Sequence, residues 1–192
     1  MSVSPAPGFR PVPVEGHAVT WTTWDGASSE RCTLRWENEA WTVEGRVGGV
    51  DVHYVLRLSA GWQVQQLLLF RDLPEPDLWL ATDGGGRWGE VNGAHRAELD
   101  GCTELALGCT PLTHSLPIRR LPLHVGDSAE VDVVTVDVET LAVEREHRRY
   151  TRIDDRRWLV RTGAGTASAE HELVVDDFGL VVDEPGRFHR AG

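Results

Sequence analysis

The stretch "VDVHYVLRL", residues 50–58, decides the fold class. Val50, Val52, Tyr54, Leu56 and Leu58 fall on one face, Asp51, His53 and Arg57 on the other, and only Val55 breaks the alternation. A period of two marks a half-buried β-strand, because successive side chains of a pleated backbone point to opposite sides. Similar runs recur on both sides of it, at 18–24, 31–36, 40–46, 62–71, 77–82, 87–91, 103–107, 130–138, 141–152, 157–162, 170–176 and 179–183. Between them lie turn signals: Glu37–Asn38, Gly48–Gly49, Ala60–Gly61, Gly84–Gly86, Asn92–Gly93, Asp154–Asp155 and Asp177–Gly179. Connections this short join antiparallel neighbours, whereas parallel strands need long crossovers. No window of a dozen residues carries a helical stripe, and "RDLPEPDLW", with Pro74 and Pro76, reads as a loop.

The chain therefore reads as all-β, mainly antiparallel, with little helix. About a dozen strands are more than a strongly twisted open sheet holds without curling, splitting or closing. A barrel, or a single sheet rolled round itself, is the expected solution. The phase slips once: Val131 and Val133 are odd, whereas Val134, Val136 and Val138 are even, which predicts a β-bulge near Val133–Val134. Residues 1–16 are rich in proline and predict an extended arm; 17–192 read as one domain.

Composition narrows the function. The 192 residues are 41% hydrophobic, enough for a substantial core, and the net charge is −11 with every fixed cation an arginine. That balance argues against nucleic acid and against an anionic membrane surface, since both need surplus positive charge. The N-terminal segment has neither a basic region nor an apolar stretch of signal-peptide type, and no run approaches transmembrane length. A soluble cytoplasmic protein is expected. Cys32, Cys102 and Cys109 are an odd set without CxxC spacing, read as free thiols in a reducing compartment. The eight histidines are scattered; His53 and His171 could meet carboxylates only through the tertiary fold, and solvated strand faces are their ordinary explanation. No metal or cofactor is expected.

One block departs from the strand pattern: "LGCTPLTHSLPIRRLPLHVG", residues 107–126. Pro117 and Pro122 push Leu116 and Leu121 out of the α region, so 117–120 is expected to be extended, or one turn at most. If extended, Arg119 and Arg120 point to opposite faces, one toward the interior and one toward water or an acidic neighbour. An arginine suits planar, bidentate recognition of a carboxylate or phosphorylated head group. The alternative is pairing with the acidic runs Asp176–Asp177 or Asp183–Glu184. Thr110, Thr113 and Ser115 could serve a ligand or simply hydrogen-bond turns.

With "ERCTLRW" at 30–36, "LDGCTELALGCTPLTHSLPIRRL" at 99–121, "YTRID" at 150–154 and "VVDDFGLVVDEPGRFHR" at 174–190, the chain resembles a bacterial glycolipid-binding family over about 18–190. The block around Thr110, Pro111, Thr113 and Leu116–Leu121 is the specific part of the match; His114 stands where the family pattern has asparagine. The resemblance implies a spiral β-roll, distantly similar to lipoprotein carriers that hold lipids, and a non-catalytic role in which the roll takes the apolar chain of an amphiphile.

The candidate ligand-facing residues are Arg119, Arg120, His114, Thr110, Thr113, Tyr54, Trp36 and Trp62. Trp36, Trp41 and Trp62 stand beside turns, where indoles either plug the end of a roll or line its mouth. The run "VQQLLLF", 64–70, is apolar on both faces, which suits a strand covered on both sides by protein or ligand. Two other readings stand beside this one. The first is a hydrolase or isomerase acting on a lipid-like substrate through His114 and a neighbouring hydroxyl. The second is an interaction module with a filled core and no ligand.

Overall fold

In the computed structural model, residues 8–72, 74–163 and 168–191 are described. The first half of the chain forms β1 (His17–Thr23), β2 (Ser29–Glu37), β3 (Ala40–Val47), β4 (Val52–Leu58), β5 (Val64–Phe70), β6 (Leu78–Thr82) and β7 (Trp88–Glu90). A 3-10 turn (Ala97–Leu99) leads to β8 (Glu104–Leu107) and the helix α1 (Leu112–Arg120). The second half forms β9 (Ser128–Val136), β10 (Val143–Arg152), β11 (Arg157–Thr162), β12 (Ala169–Val175), β13 (Val181–Glu184) and β14 (Phe188–Arg190). The fold is mainly antiparallel β, as the alternation predicts.

All fourteen strands belong to one sheet, ordered β7-β6-β5-β4-β3-β2-β1-β14-β13-β12-β11-β10-β9-β8. Each half is a meander, and β14 joins them by pairing with both β1 and β13. Three residues, "FHR", are too few to show an alternation, so this central strand is missing from the expected set. The sheet is rolled but not closed into a barrel. Laid flat, fourteen strands would put β7 and β8 roughly 60 Å apart. Yet β7 and β8 are consecutive in the chain, and the fully extended link from Glu90 to Glu104 reaches at most roughly 50 Å. The two ends do meet: the Trp88 indole donates to the Cys102 carbonyl at 2.9 Å, and the Gly101 amide to the Gly86 carbonyl at 2.9 Å.

Rolling produces two cores. The larger gathers the inner faces of the first meander, including Trp21, Leu34, Val43, Leu56, Leu67 and Leu80, with Leu112 and Leu116 of α1. The smaller holds Phe9, Ile118, Tyr150, Trp158, Val160, Leu173 and Val175. The β8–β9 edge separates them: Leu105, Leu107, Val134 and Val136 face the larger core, while Ala106, Val131 and Val133 face the smaller. This explains the phase slip and corrects its reading. β9 keeps unbroken register with β10 from Ser128 to Val136, so no bulge lies at Val133–Val134. Both registers are apolar because both faces are buried. Irregularities fall instead at Arg57/Leu58 and Val174/Val175.

The proline-rich block is also corrected. Leu112–Arg120 is an α-helix containing Pro117, and β8 and β9 are parallel. A parallel pair requires a crossover, usually helical, and α1 is that crossover. Leu112 through Arg119 are all buried, so tertiary packing overrides the cost of the lost hydrogen bond at Pro117. Thr110 Oγ1 accepts the Leu112 amide at 3.1 Å at the helix start.

On β5, Leu67 and Leu69 are buried in the larger core, while Leu68 and Phe70 remain half-exposed on the outer face. Leu68 is flanked in register by Val55 and Trp79. Of the N-terminal arm, residues 1–7 lie outside the described residues; Phe9 and Val12 are buried, one in each core. Cys32, Cys102 and Cys109 are free thiols.

Candidate functional site

A half-open cavity of about 330 Å³ lies between the β8–α1 segment and the β9–β10 hairpin. Leu107, Gly108, Thr110, Thr113 and His114 form one wall. Thr135, Val136, Asp137, Ala142, Glu144, Glu146 and Arg148 form another, and Arg187, just before β14, closes a third side. The alternation of β10 sends Glu144, Glu146 and Arg148 to the same face, and Arg148 Nε donates to Glu146 at 2.6 Å.

His114 is buried at the inner end. Its Nδ1 lies 2.9 Å from Tyr150 Oη, and its Nε2 lies 3.8 Å from Glu184 Oε1. Burial, then the neighbouring Arg148, His171 and Arg187 groups, which disfavour a further positive charge, hold its pKa well below the usual imidazole value. His171 is pushed down to about 4 by burial, then by Arg187 and Arg148. Both imidazoles are therefore neutral at pH 7. Burial raises the Glu184 carboxyl against the opposing pull of Arg187. Burial also pushes the Tyr150 phenol well above its usual pKa, so it stays protonated.

Arg187 bridges two spaces. Its Nη1 donates to Glu184 Oε1 at 2.6 Å and its Nη2 to the Gly108 carbonyl at 3.2 Å. Beyond it, Gly108 and Arg187 also line a second, more open depression of about 430 Å³, shared with Thr23, Trp24, Asp25, Ala27, Ser28, Gly186 and Phe188. Trp24 is 52% exposed and meets the His189 ring edge-on at 5.7 Å. The two spaces thus share Gly108 and Arg187, and the second adds the exposed indole of Trp24 and the edge of Phe188 among polar and glycine residues. Hydroxyls, carboxylates, a neutral imidazole and two guanidinium groups can hydrogen-bond a hydroxyl-rich group from several sides. An exposed indole offers a flat apolar platform.

The residues singled out from sequence divide into three places. Thr110, Thr113 and His114 share the cavity, and Tyr54 stands behind it, its hydroxyl 3.4 Å from Thr110 Oγ1 and bonded to Glu30. Trp36 and Trp62 belong to a separate stack: the Trp36–Trp41 and Trp41–Trp62 ring centroids are 5.3 and 5.7 Å apart, and Arg119 lies 3.9 Å over Trp62. Trp62 takes a left-handed φ of 66°, unusual for a bulky residue. Arg120 is elsewhere again, its Nε donating to the buried Glu104 at 2.8 Å. Because the block is helical, the two arginines do not point to opposite faces: Arg119 is buried and Arg120 half-buried against protein. Neither takes the acidic runs as salt-bridge partners, since Asp176 pairs with Arg190, Asp177 with Arg156 and Glu184 with Arg187.

Among the described residues, no serine or threonine hydroxyl is hydrogen-bonded to His114. Its hydrogen-bond partner is Tyr150; the Ser115 hydroxyl accepts the Val181 amide at 3.1 Å and the Thr113 hydroxyl accepts the Leu107 amide at 3.3 Å. Trp24, Arg148 and Arg187 were not among the residues singled out from sequence, and Glu184 entered only as a possible partner of the arginine pair. A charge on the outer register of a strand reads as solvated, and nothing local shows that another segment covers it.

A family model described as "Putative glycolipid-binding" matches residues 18–190. The chain belongs to this family. A solved structure of a DUF1089 family protein from Pseudomonas aeruginosa is similar over 96% of each chain, with 25% identity and a TM-score of 0.69. No curated protein matches. Of the glycolipid-binding family's expected features, the rolled sheet is present in this chain. Among the described residues no helix is long and apolar enough to cross a membrane.

Proposed function

We propose that the protein binds a glycolipid-type amphiphile without altering it chemically, the cavity beside His114 taking the polar head and the depression at Trp24 taking the adjoining apolar part. The observation that carries this reading is the shared wall: Gly108 and Arg187 line both spaces, and the second also carries the exposed Trp24 indole. The size of the inner cavity supports a head group there. About 330 Å³ is at the low end of ligand pockets, which run roughly 300–1,000 Å³, so it suits a sugar-sized group better than a long acyl chain. Leu107, Val136 and Ala142 supply apolar contact within the cavity, and Thr110, Thr113, Glu144 and Arg148 supply polar contact. Each buried methylene adds about 0.8 kcal/mol, against an association cost of about 4 kcal/mol or more. A short chain in an open depression therefore binds weakly alone, and the head group must contribute.

The test uses full-length protein, an octyl glycoside below its micelle concentration, and octanoate as a chain without a sugar, measured by calorimetry and native mass spectrometry. The glycoside binds more tightly than octanoate. Ala142→Trp, at an exposed position on the cavity wall, weakens the glycoside at least ~10-fold, about 1.4 kcal/mol. Equal binding of the two probes, or binding indifferent to Ala142→Trp, overturns the reading.

A further inference from the structure

Beneath the cavity, three side chains from three separate elements converge. His114 from α1, His171 from β12 and Glu184 from β13 each offer one donor atom, and these atoms lie within 4.8 Å of one another. His171 Nε2 is 3.5 Å and His114 Nε2 3.8 Å from Glu184 Oε1. Neighbouring donors round a tetrahedral zinc ion, bound at roughly 2.0–2.1 Å, stand roughly 3.3 Å apart. Shifts of a few tenths of an ångström in side chains bring two of these separations to that value.

The surroundings separate this cluster from a chance meeting of polar groups. His171 Nε2 and Glu184 Oε2 are both buried and lack a hydrogen-bond partner among the described residues. An unsatisfied buried acceptor costs free energy unless something completes it. Glu184 is fully buried, so its free oxygen is not met by bulk solvent. His114 is braced from behind: Nδ1 faces Tyr150 Oη at 2.9 Å. When Nδ1–H donates to the phenol oxygen, the Nε2 lone pair is directed at Glu184. A metal-bound histidine usually has such an outer-shell partner on its second nitrogen.

We infer that His114, His171 and Glu184 form a binding site for a divalent metal ion of zinc type, adjoining through His114 the cavity that Arg187 also lines. Two imidazoles and one carboxylate are a three-ligand set that leaves a fourth position for water or a ligand oxygen. Imidazole favours zinc, cobalt, nickel or copper over magnesium or calcium. The competing cation is Arg187, which holds Glu184 Oε1 at 2.6 Å. Its side chain is 46% exposed and can turn toward solvent, and Glu184 Oε2 is free of it. Arg148 also faces the cluster, its charge balanced by Glu146 at 2.6 Å. The site stands independently of the head-group reading, and the probes below contain no amphiphile.

The test is a titration of chelator-treated full-length protein with zinc chloride, and separately with cobalt(II) as an optical probe. One equivalent of zinc binds, and cobalt gives the strong visible absorption of a four-coordinate site. His171→Ala, at a partly exposed strand position, weakens zinc at least ~10-fold, because even outer-shell changes cost 10–100-fold. Tyr150→Phe weakens it by about 10-fold while keeping the ring. The rival chelate is the exposed His147 beside Glu130 and Asp132. Loss of binding in His147→Ala but not in His171→Ala overturns the inference. So does the absence of stoichiometric binding, or a cobalt spectrum unchanged by His171→Ala.

Discussion

Glu30→Gln removes one buried charge and should flatten the alkaline limb of the stability profile. Glu30 sits on β2 with 2% of its surface exposed, its Oε1 bonded by the Tyr54 hydroxyl and its Oε2 without a partner. Burial pushes its pKa up to about 7 from an ordinary 4.5, against the lowering effect of the Thr110 and Tyr54 hydroxyls. A carboxyl whose folded pKa is raised binds protons more tightly in the native state. Its contribution is fully present below the unfolded pKa and is lost as pH climbs through the folded one. The whole difference is about 3 kcal/mol. Part of it is already gone at about pH 5.5, so the loss between about pH 5.5 and about pH 8.5 is about 2 kcal/mol. Glutamine matches the shape of the neutral acid and does not ionise. Urea unfolding at those two pH values should show the variant gaining about 2 kcal/mol on the wild type as pH rises. Parallel profiles, or a wild type that gains on the variant at alkaline pH, would refute the assignment of Glu30 as a buried acid that resists ionisation.

Four further outcomes follow from the same structure. Gly45→Ala places a Cβ 2.2 Å from the Tyr54 ring, which crosses β3 at that point, and should cost at least about 2 kcal/mol in urea unfolding. Gly108→Ala, whose Cβ meets nothing within 4 Å, should stay within about 0.5 kcal/mol. Arg119→Met should leave stability unchanged or raise it by about 1 kcal/mol, since Nε and Nη1 of this buried arginine lack hydrogen-bond partners among the described residues; a fall in the urea midpoint would show that its stacking on Trp62 matters more than its desolvation. Trp24→Ala should reduce octyl glycoside binding while leaving the thermal midpoint within about 2 °C, because its indole is largely outside the core.

The two halves of the problem were legible to different degrees. Strand alternation survives in the structure from Val52 to Leu58, because burial on one side of a pleat writes itself directly into the order of residues, whereas Val50, expected on the same face, is exposed in the turn before β4. It failed where a segment was covered on both sides. At Val131–Val136 a two-sided strand resembled a bulge. In Leu112–Arg120 the signal of Pro117 was outweighed by burial of nearly the whole helix. Of the candidate site, Thr110, Thr113 and His114 were found because the block that carries them was itself unusual. Arg148, Glu184 and Arg187 carry no local mark that distinguishes them from the other charged residues of the outer strand faces.

By itself the amino-acid order determined an antiparallel β protein with too many strands to lie flat, and its membership in a glycolipid-binding family. Those are properties of local periodicity and of short motifs, and both are readable without knowing which segments meet. Only the tertiary structure decided that β14 unites two meanders, that Arg119 ends on Trp62, and that His114, His171 and Glu184 face one another. Such meetings depend on how far the sheet rolls before its ends touch, and that is a sum of small twists along fourteen strands which no single stretch of the chain encodes.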